Sequence, residues 1–303
     1  MTPQGNGISG KAICLNLTVS RLGTRRRVPS GMVEADVQDK TLLKVAKVIL
    51  DADALDAVGR VDGQTKAWLY ARALESPLFR AGIYLIPLGL VEEVDAKLKA
   101  VEAERATCID VFLVLYDSIR DNARVRLAGL FDPTDYPSVA AVRATFGMRW
   151  QWIGFDAPAQ LESLNRELWQ REREKAGAAW AEAADDIRLA LRATCAELVA
   201  PLAERLQPAA DGKRRVFRDS AVTNLTQFLD LFDKRDVTSD AELQALVGQA
   251  RAILSGVDAE MLRGTDRFRS RMRDALLDVK TALDGLVQTG GRKISLADDE
   301  EAA

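Results

Sequence analysis

Three arginine-rich segments hold the residues best suited to chemistry: RLGTRRRVP at Arg21–Pro29, GKRRVFR at Gly212–Arg218 and RGTDRFRSRMR at Arg263–Arg273. Guanidinium groups on loops beside single aromatics such as Phe217 and Phe268 suit phosphate clamping and base stacking, the basis of sequence-tolerant nucleic-acid grooves. The residues of such a groove would be Arg25, Arg26, Arg27, Lys213, Arg214, Arg215 and Arg218. The opposing reading makes each segment a solvated loop or helix face balanced by nearby acids. The overall charge favours it, since 45 acidic and 42 basic residues leave a net charge of −3.

The count that excludes most is histidine, with none in 303 residues. Its absence removes Ser-His-Asp and Cys-His catalysis, His-zinc hydrolysis and His phosphotransfer together. Neither Glu92, Glu93 and Asp95 nor the Asp185/Asp186 pair has a metal or glycosidase spacing, and adjacent acids on a helix point to different sides. Helix-start acids at 92 and 93 fit the macrodipole, and the 185/186 pair fits a solvated face. No GxxxxGK[ST] and no GxGxxG after a strand is present. Cys14, Cys108 and Cys195 are few, distant and odd in number, which speaks against a disulfide framework or structural zinc and for a reducing cytoplasm. No catalytic residue, metal ligand or cofactor is assigned, and the chain is read as non-enzymatic. The start MTPQGNGISGK lacks the regions of a signal peptide, and no apolar run is long enough to span a membrane.

The elements that must position these residues are mostly helical. ICLNLTVS, Ile13–Ser20, alternates apolar and polar residues and reads as a strand. Val37, Leu42, Val45, Val48 and Ile49 suggest a helix over about 34–50, and a shorter helix near 63–74 carries Trp68 and Leu69. In SPLFRAGIYLIPLGLVEEVD, Ser76–Asp95, Pro77 and Pro87 forbid a continuous helix. GIYLI reads as extended, with Leu78, Phe79, Ile83, Tyr84 and Leu85 plugging a junction and Arg80 satisfying carbonyls. Beyond this corner Val91, Val94, Leu98, Val101, Cys108, Phe112, Leu115 and Ile119 form a near-heptad seam with Arg105 out of pattern, hence a long helix. A short helix through VAAVRATF follows, and MRWQWIGFD resumes a period of two as the partner of the N-terminal strand. That period also turns Trp150 and Trp152 towards a helix instead of making them an exposed recognition surface.

From Pro158 to about Leu206 runs the strongest helical pattern, roughly 70 Å long if unbroken, with Pro201 a site for a kink. Three further helices are expected near 220–232, 239–254 and 266–286, each with a polar cap and an apolar stripe. The fold class is therefore mainly α: a long antiparallel, coiled-coil-like helical hairpin between the 91–119 and 158–206 segments, a small β element at its root, and a C-terminal helical bundle. The division is 1–33 for the N-terminal strand and basic loop, and 34–210 for the helical region with the hairpin and second strand near 148–155. It continues as 211–288 for the bundle and 289–303 for a disordered acidic tail.

The blocks ICLNLTVSRLGTRRRV, SPLFRAGIYLIPLGLVEEVD, LFDPTDYP, ELWQREREKAGAAW and FRDSAVTNL together resemble a bacterial domain-of-unknown-function family, numbered thirty-one fifty, of phages, plasmids and integrative elements. The resemblance covers most of the chain but brings no catalytic residue with it. Members of that family often lie beside a MoxR- or cobaltochelatase-like AAA+ ATPase and a von Willebrand A-type protein. The resemblance thus implies an adaptor or substrate-side role for such an ATPase. The exposed helical arm and tail make the chain a non-enzymatic interaction protein that engages such a partner or a second copy of itself, and the arginine-rich segments make nucleic acid the alternative partner.

Overall fold

A computed structural model describes residues 8–33, 36–39, 42–74, 82–154, 156–207, 219–257 and 266–289. Its β-strands are β1 (Ala12–Ser20), β2 (Arg25–Val28), β3 (Val45–Val48), β4 (Ile83–Pro87) and β5 (Gly147–Ile153). The helices are α1 (Asp56–Tyr70), α2 (Val91–Leu127), α3 (Val139–Thr145), α4 (Ala159–Leu164), α5 (Arg166–Leu206), α6 (Asp219–Arg235), α7 (Ala241–Leu254) and α8 (Asp266–Thr289). The class is mainly α, as the periodicity indicates.

β1 is the middle strand of an antiparallel sheet of order β4-β1-β5, with Leu15 opposite Tyr84 on one side and Trp152 on the other. The expected pairing of the first strand with MRWQWI is therefore present. One face carries Leu15, Leu17, Tyr84, Ile86 and Met148, which pack with Val94, Leu98 and Val101 of α2 and Val61 and Leu69 of α1. Cys14 and Leu85 on the other face join α5, α6, α7 and α8 in a second core. A third core gathers Leu22, Ile49, Leu50 and Val58 around Ile109, Phe112 and Tyr116 of α2, with Tyr136 and Val142. Ile83, Tyr84 and Leu85, expected to plug the junction between the strands and the root of the helical hairpin, lie instead in β4, with Tyr84 packed towards α2 and Ile83 and Leu85 towards α5 to α8. Leu78, Phe79 and Arg80 lie outside the described residues.

The sheet decides the long-helix pairing. α2 and α5 lie against opposite faces of it, so the expected hairpin between them does not form, and the antiparallel long partner of α5 is α8. The Arg269 side chain donates to the Arg205 carbonyl at one end of that pair, and Arg192 donates to the Leu286 carbonyl further along. A single-sequence seam names an apolar face but not the surface that covers it.

The expected helix over 34–50 is a second correction. Val45–Val48 is a strand, antiparallel to Arg25–Val28, and the described residues of that segment contain no α-helix. Five apolar positions fit a helical period loosely, whereas the strand alternates: Val45 and Lys47 turn inward, Ala46 and Val48 outward. Two β-branched valines and a ready ladder on Arg25–Val28 outweigh the weak periodicity. The helix expected near 63–74 begins earlier, at Asp56, and ends at Tyr70, which frees Leu74 to bridge to Leu85. The long pattern from Pro158 breaks at Asn165, whose extended backbone ends α4 and whose side chain accepts the Leu168 N–H to cap α5. Pro201 lies within α5.

The seam on α2 also differs in detail. Its buried residues are Val94, Leu98, Val101, Arg105, Ile109, Phe112, Leu113 and Tyr116, so the heptad steps give way after Arg105 to another step of four. A straight helix drifts about 20° per heptad from a strict 3.5 repeat, and the drift rotates Leu115 out of the core.

Candidate functional site

The first basic segment is divided by the pleat of the two-stranded β2–β3 ribbon. Arg26 faces Lys47 across the ladder, and both turn to Asp135, with Lys47 Nζ at 2.7 Å and Arg26 Nε at 3.8 Å from its carboxylate oxygens. Lys47 also donates to the Leu130 carbonyl at 2.6 Å. These two cations hold the ribbon to the Pro133–Asp135 turn and are taken. Arg25 and Arg27 fall on the opposite face beside Ala46 and Val48 and are exposed; neither makes an ion pair among the described residues.

The other two segments divide differently. Lys213, Arg214, Arg215 and Arg218 lie outside the described residues. In the third, Arg269 is 5 % exposed and bonded to the Arg205 carbonyl, and Arg273 pairs with Asp274. Arg267 and Arg271 are exposed. α8 belongs to the core on the far face of the sheet, whereas Leu22, Ile49 and Leu50, which flank the ribbon, belong to the α2–α3 core.

Three further arginines are buried fasteners. Arg105, the residue out of pattern in the sequence, is 3 % exposed, donates from Nε to Asp62 at 2.8 Å and from Nη2 to the Ser20 carbonyl at 2.7 Å. It thereby ties α2 to α1 and to the end of β1. Arg192 donates to both oxygens of Asp240, at 2.6 and 3.0 Å, and to Glu242 at 2.9 Å. Those bonds raise the guanidinium pKa still further. Burial pushes the Asp240 carboxyl up, but hydrogen bonds from Arg192 and the Leu243 N–H outweigh it and leave its pKa below the usual value. Arg235 donates to the Ala73 carbonyl, linking α6 to the segment after α1. A lone Arg in an apolar seam was the only sequence signal for any of these. The partners of all three lie more than forty residues away, so spacing could not supply them.

Two clefts are built from these elements and a third from the sheet. A cleft of about 660 Å³ opens where α1, α5 and α6 meet, with Trp68, Leu198, Phe228 and Leu231 as its apolar lining and Arg72, Asn224 and Gln227 among its polar groups. The Arg72 guanidinium lies 3.8 Å over the Trp68 ring and is held there by Glu93 at 2.8 Å. A second cleft of about 560 Å³ lies between the turn after β1 and the start of α1, lined by Arg21, Leu22, Gly23, Thr24, Leu55, Asp56, Gly59 and Arg60. The third, about 580 Å³, rests on Asn16, Thr18, Arg149 and Gln151, the polar half of a sheet face.

Of the carboxylates singled out by type, three are engaged, while Asp186 has a buried oxygen without a hydrogen bond. Glu93 pairs with Arg72 and Lys234, Asp95 receives Lys99 and the Trp150 indole N–H, and Asp185 pairs with Arg188. The Lys99 hydrogen bond, then that of Trp150, lowers the Asp95 pKa. Trp150 and Trp152 pack partly buried against the α2 side of the sheet. Among the described residues no group of three or more Cys, Asp or Glu comes together to hold a metal ion, and no helix is long and apolar enough to cross a membrane. Burial pushes the Cys14 and Cys195 thiols up to about 12, so neither supplies a thiolate near neutrality.

Sequence reasoning missed the outer face of α2. Behind its buried stripe, Val111, Val114, Leu115 and Val125 fall on one side of the helix and stand in solvent, Val114 at 83 % and Val125 at 80 % exposure. α5 likewise buries no residue between Arg166 and Glu182 and begins to do so at Ala183. No protein-family model, curated protein or solved structure matches the chain.

Proposed function

We propose that the chain is a non-enzymatic interaction protein whose outer α2 face receives a helix of a partner protein. The observation that carries this reading is the exposed row of Val111, Val114, Leu115 and Val125. Single exposed apolar residues are ordinary, but a row at helical spacing on one face suits helix docking. The resemblance to the mobile-element family adds an AAA+ ATPase as the partner class, and a second copy of the chain is the other occupant. A cytoplasmic setting belongs to the same proposal and is supported by three cysteines that remain free thiols.

Light scattering of the purified protein, with retention of an AAA+ ATPase on the immobilised chain, tests this reading. Association as an oligomer or with the ATPase is expected, and Val114→Glu combined with Val125→Glu should abolish it. A monomer that retains no protein partner would sink it.

A second reading, sequence-tolerant nucleic-acid binding, is favoured by one specific observation: Arg25 and Arg27 stand exposed on the outer face of the ribbon and make no ion pair among the described residues. Salt-sensitive retention of DNA or RNA, lost in Arg25→Glu/Arg27→Glu, is its expected outcome. Binding unchanged in that variant would remove it.

A further inference from the structure

The cleft between the turn after β1 and the start of α1 contains two guanidinium groups and a single carboxylate. Arg21 and Arg60 are both exposed, but the Arg21 side chain is not free of the protein. Its Nη1 lies 3.4 Å from the point where a Cβ on Gly59 would stand, so the side chain is laid across the bare backbone of α1. Arg60 lines the same space from the next position of the helix, and Thr24 lines it from the turn after β1. Asp56 lines the cleft too, yet neither arginine makes an ion pair among the described residues. Elsewhere in the molecule arginines of comparable position are engaged: Arg126 reaches Asp51, and Arg143 reaches Asp110.

We propose that this cleft is a binding site for a phosphoryl anion, held by Arg21 and Arg60 with Thr24 donating from the side. The guanidinium fork matches the oxygens of a phosphate, and two forks in one concavity make a stronger and more directional site than two isolated surface charges. Gly59 leaves the backbone of α1 bare beneath Arg21; a Cβ there would stand in ordinary contact with Nη1, and a longer side chain would reach into the cleft. Asp56 opposes the ligand, so it sets the affinity without contributing to it. Exposed Arg25 and Arg27 follow directly along the chain from Thr24, and a phosphodiester strand leaving the cleft would meet them. The phosphoryl group comes either from such a strand or from a small phosphorylated molecule. The site does not depend on the partner-helix reading.

Calorimetric titration of the full chain with inorganic pyrophosphate, and anisotropy with a short DNA duplex, test the proposal. At least one probe should bind. Arg60→Glu and Gly59→Glu should each weaken it about tenfold or more, and Asp56→Asn should tighten it. Gly59→Glu replaces glycine by a better helix former, so loss of binding with unchanged far-ultraviolet circular dichroism reads on the cleft and not on folding. Binding of the duplex alone assigns the strand as the source, and binding of pyrophosphate assigns the small molecule. Binding of neither probe overturns the site. So does duplex binding that is lost in Arg25→Glu/Arg27→Glu but untouched in Gly59→Glu, an outcome that leaves nucleic-acid binding standing without the cleft.

Discussion

Arg105 and Arg192 place a full positive charge inside the protein, and each is tolerable only because its carboxylate partner is buried with it. Removing one member strands the other. Arg105→Met leaves Asp62 without its cation and should cost ~3–5 kcal/mol in denaturant unfolding, while the double change with Asp62→Leu should cost much less. The Asp240 pair adds a pH dependence. The folded carboxyl has a lowered pKa, so its contribution is fully present above the ordinary carboxylate pKa of about 3.9 and is lost as pH falls through the folded value. Urea midpoints measured from pH 7 to pH 3 should therefore fall more steeply in the native chain than in Asp240→Asn. Thiol chemistry follows burial in the same way. Cys14 and Cys195 are fully buried and Cys108 only partly so, so a native-state titration with an aromatic disulfide reagent should label Cys108 first, the other two reacting only on unfolding.

At the level of elements, local chemistry sets the ends and contacts at a distance set the partners. Asn165 both terminates α4 and caps the 41-residue α5. Asn165→Ala should cost ~1 kcal/mol, visible as faster hydrogen exchange in the first turn of α5. β5 meets β1 at Gly147 opposite Ser20, where a Cβ would come within 2.8 Å of the serine Oγ. Gly147→Val should lower the melting temperature, and combining it with Ser20→Gly should recover part of the loss; no recovery would show that the clash is not the cause. The β2–β3 ribbon is the element that sequence periodicity misread. Its inward Lys47 owes its place to Asp135 and Leu130, more than eighty positions away, and no local pattern announces such partners.

For the whole molecule, the central fact is that one small sheet is shared by two cores. Leu85 faces the helical bundle of α5 to α8, while its neighbours Tyr84 and Ile86 face α2. Arg235 and the Lys11–Ser239 hydrogen bond add polar ties between the bundle and the β layer. Leu85→Ala should destabilise by ~2–5 kcal/mol. If the sheet couples the cores, amide exchange should accelerate in both α2 and α5; acceleration confined to α5 would mean that they unfold separately.

The sequence by itself determined the class, the helices α2, α5, α6, α7 and α8, the first strand and its pairing with Gly147–Ile153, because each rests on a period or a cap readable within a few turns of chain. It also determined that no histidine chemistry is available. Only the tertiary structure decided that α8, not α2, runs along α5, that Val45–Val48 is a strand, and that Arg105 is buried and paired. The same holds for the basic run at Arg25–Arg27, where the register of the ribbon engages Arg26 and leaves its two neighbours in solvent. An apolar stripe or a charged run specifies what its surroundings must be in kind. Which distant segment supplies them depends on how all the faces can be covered at once, and that is a property of the packed chain.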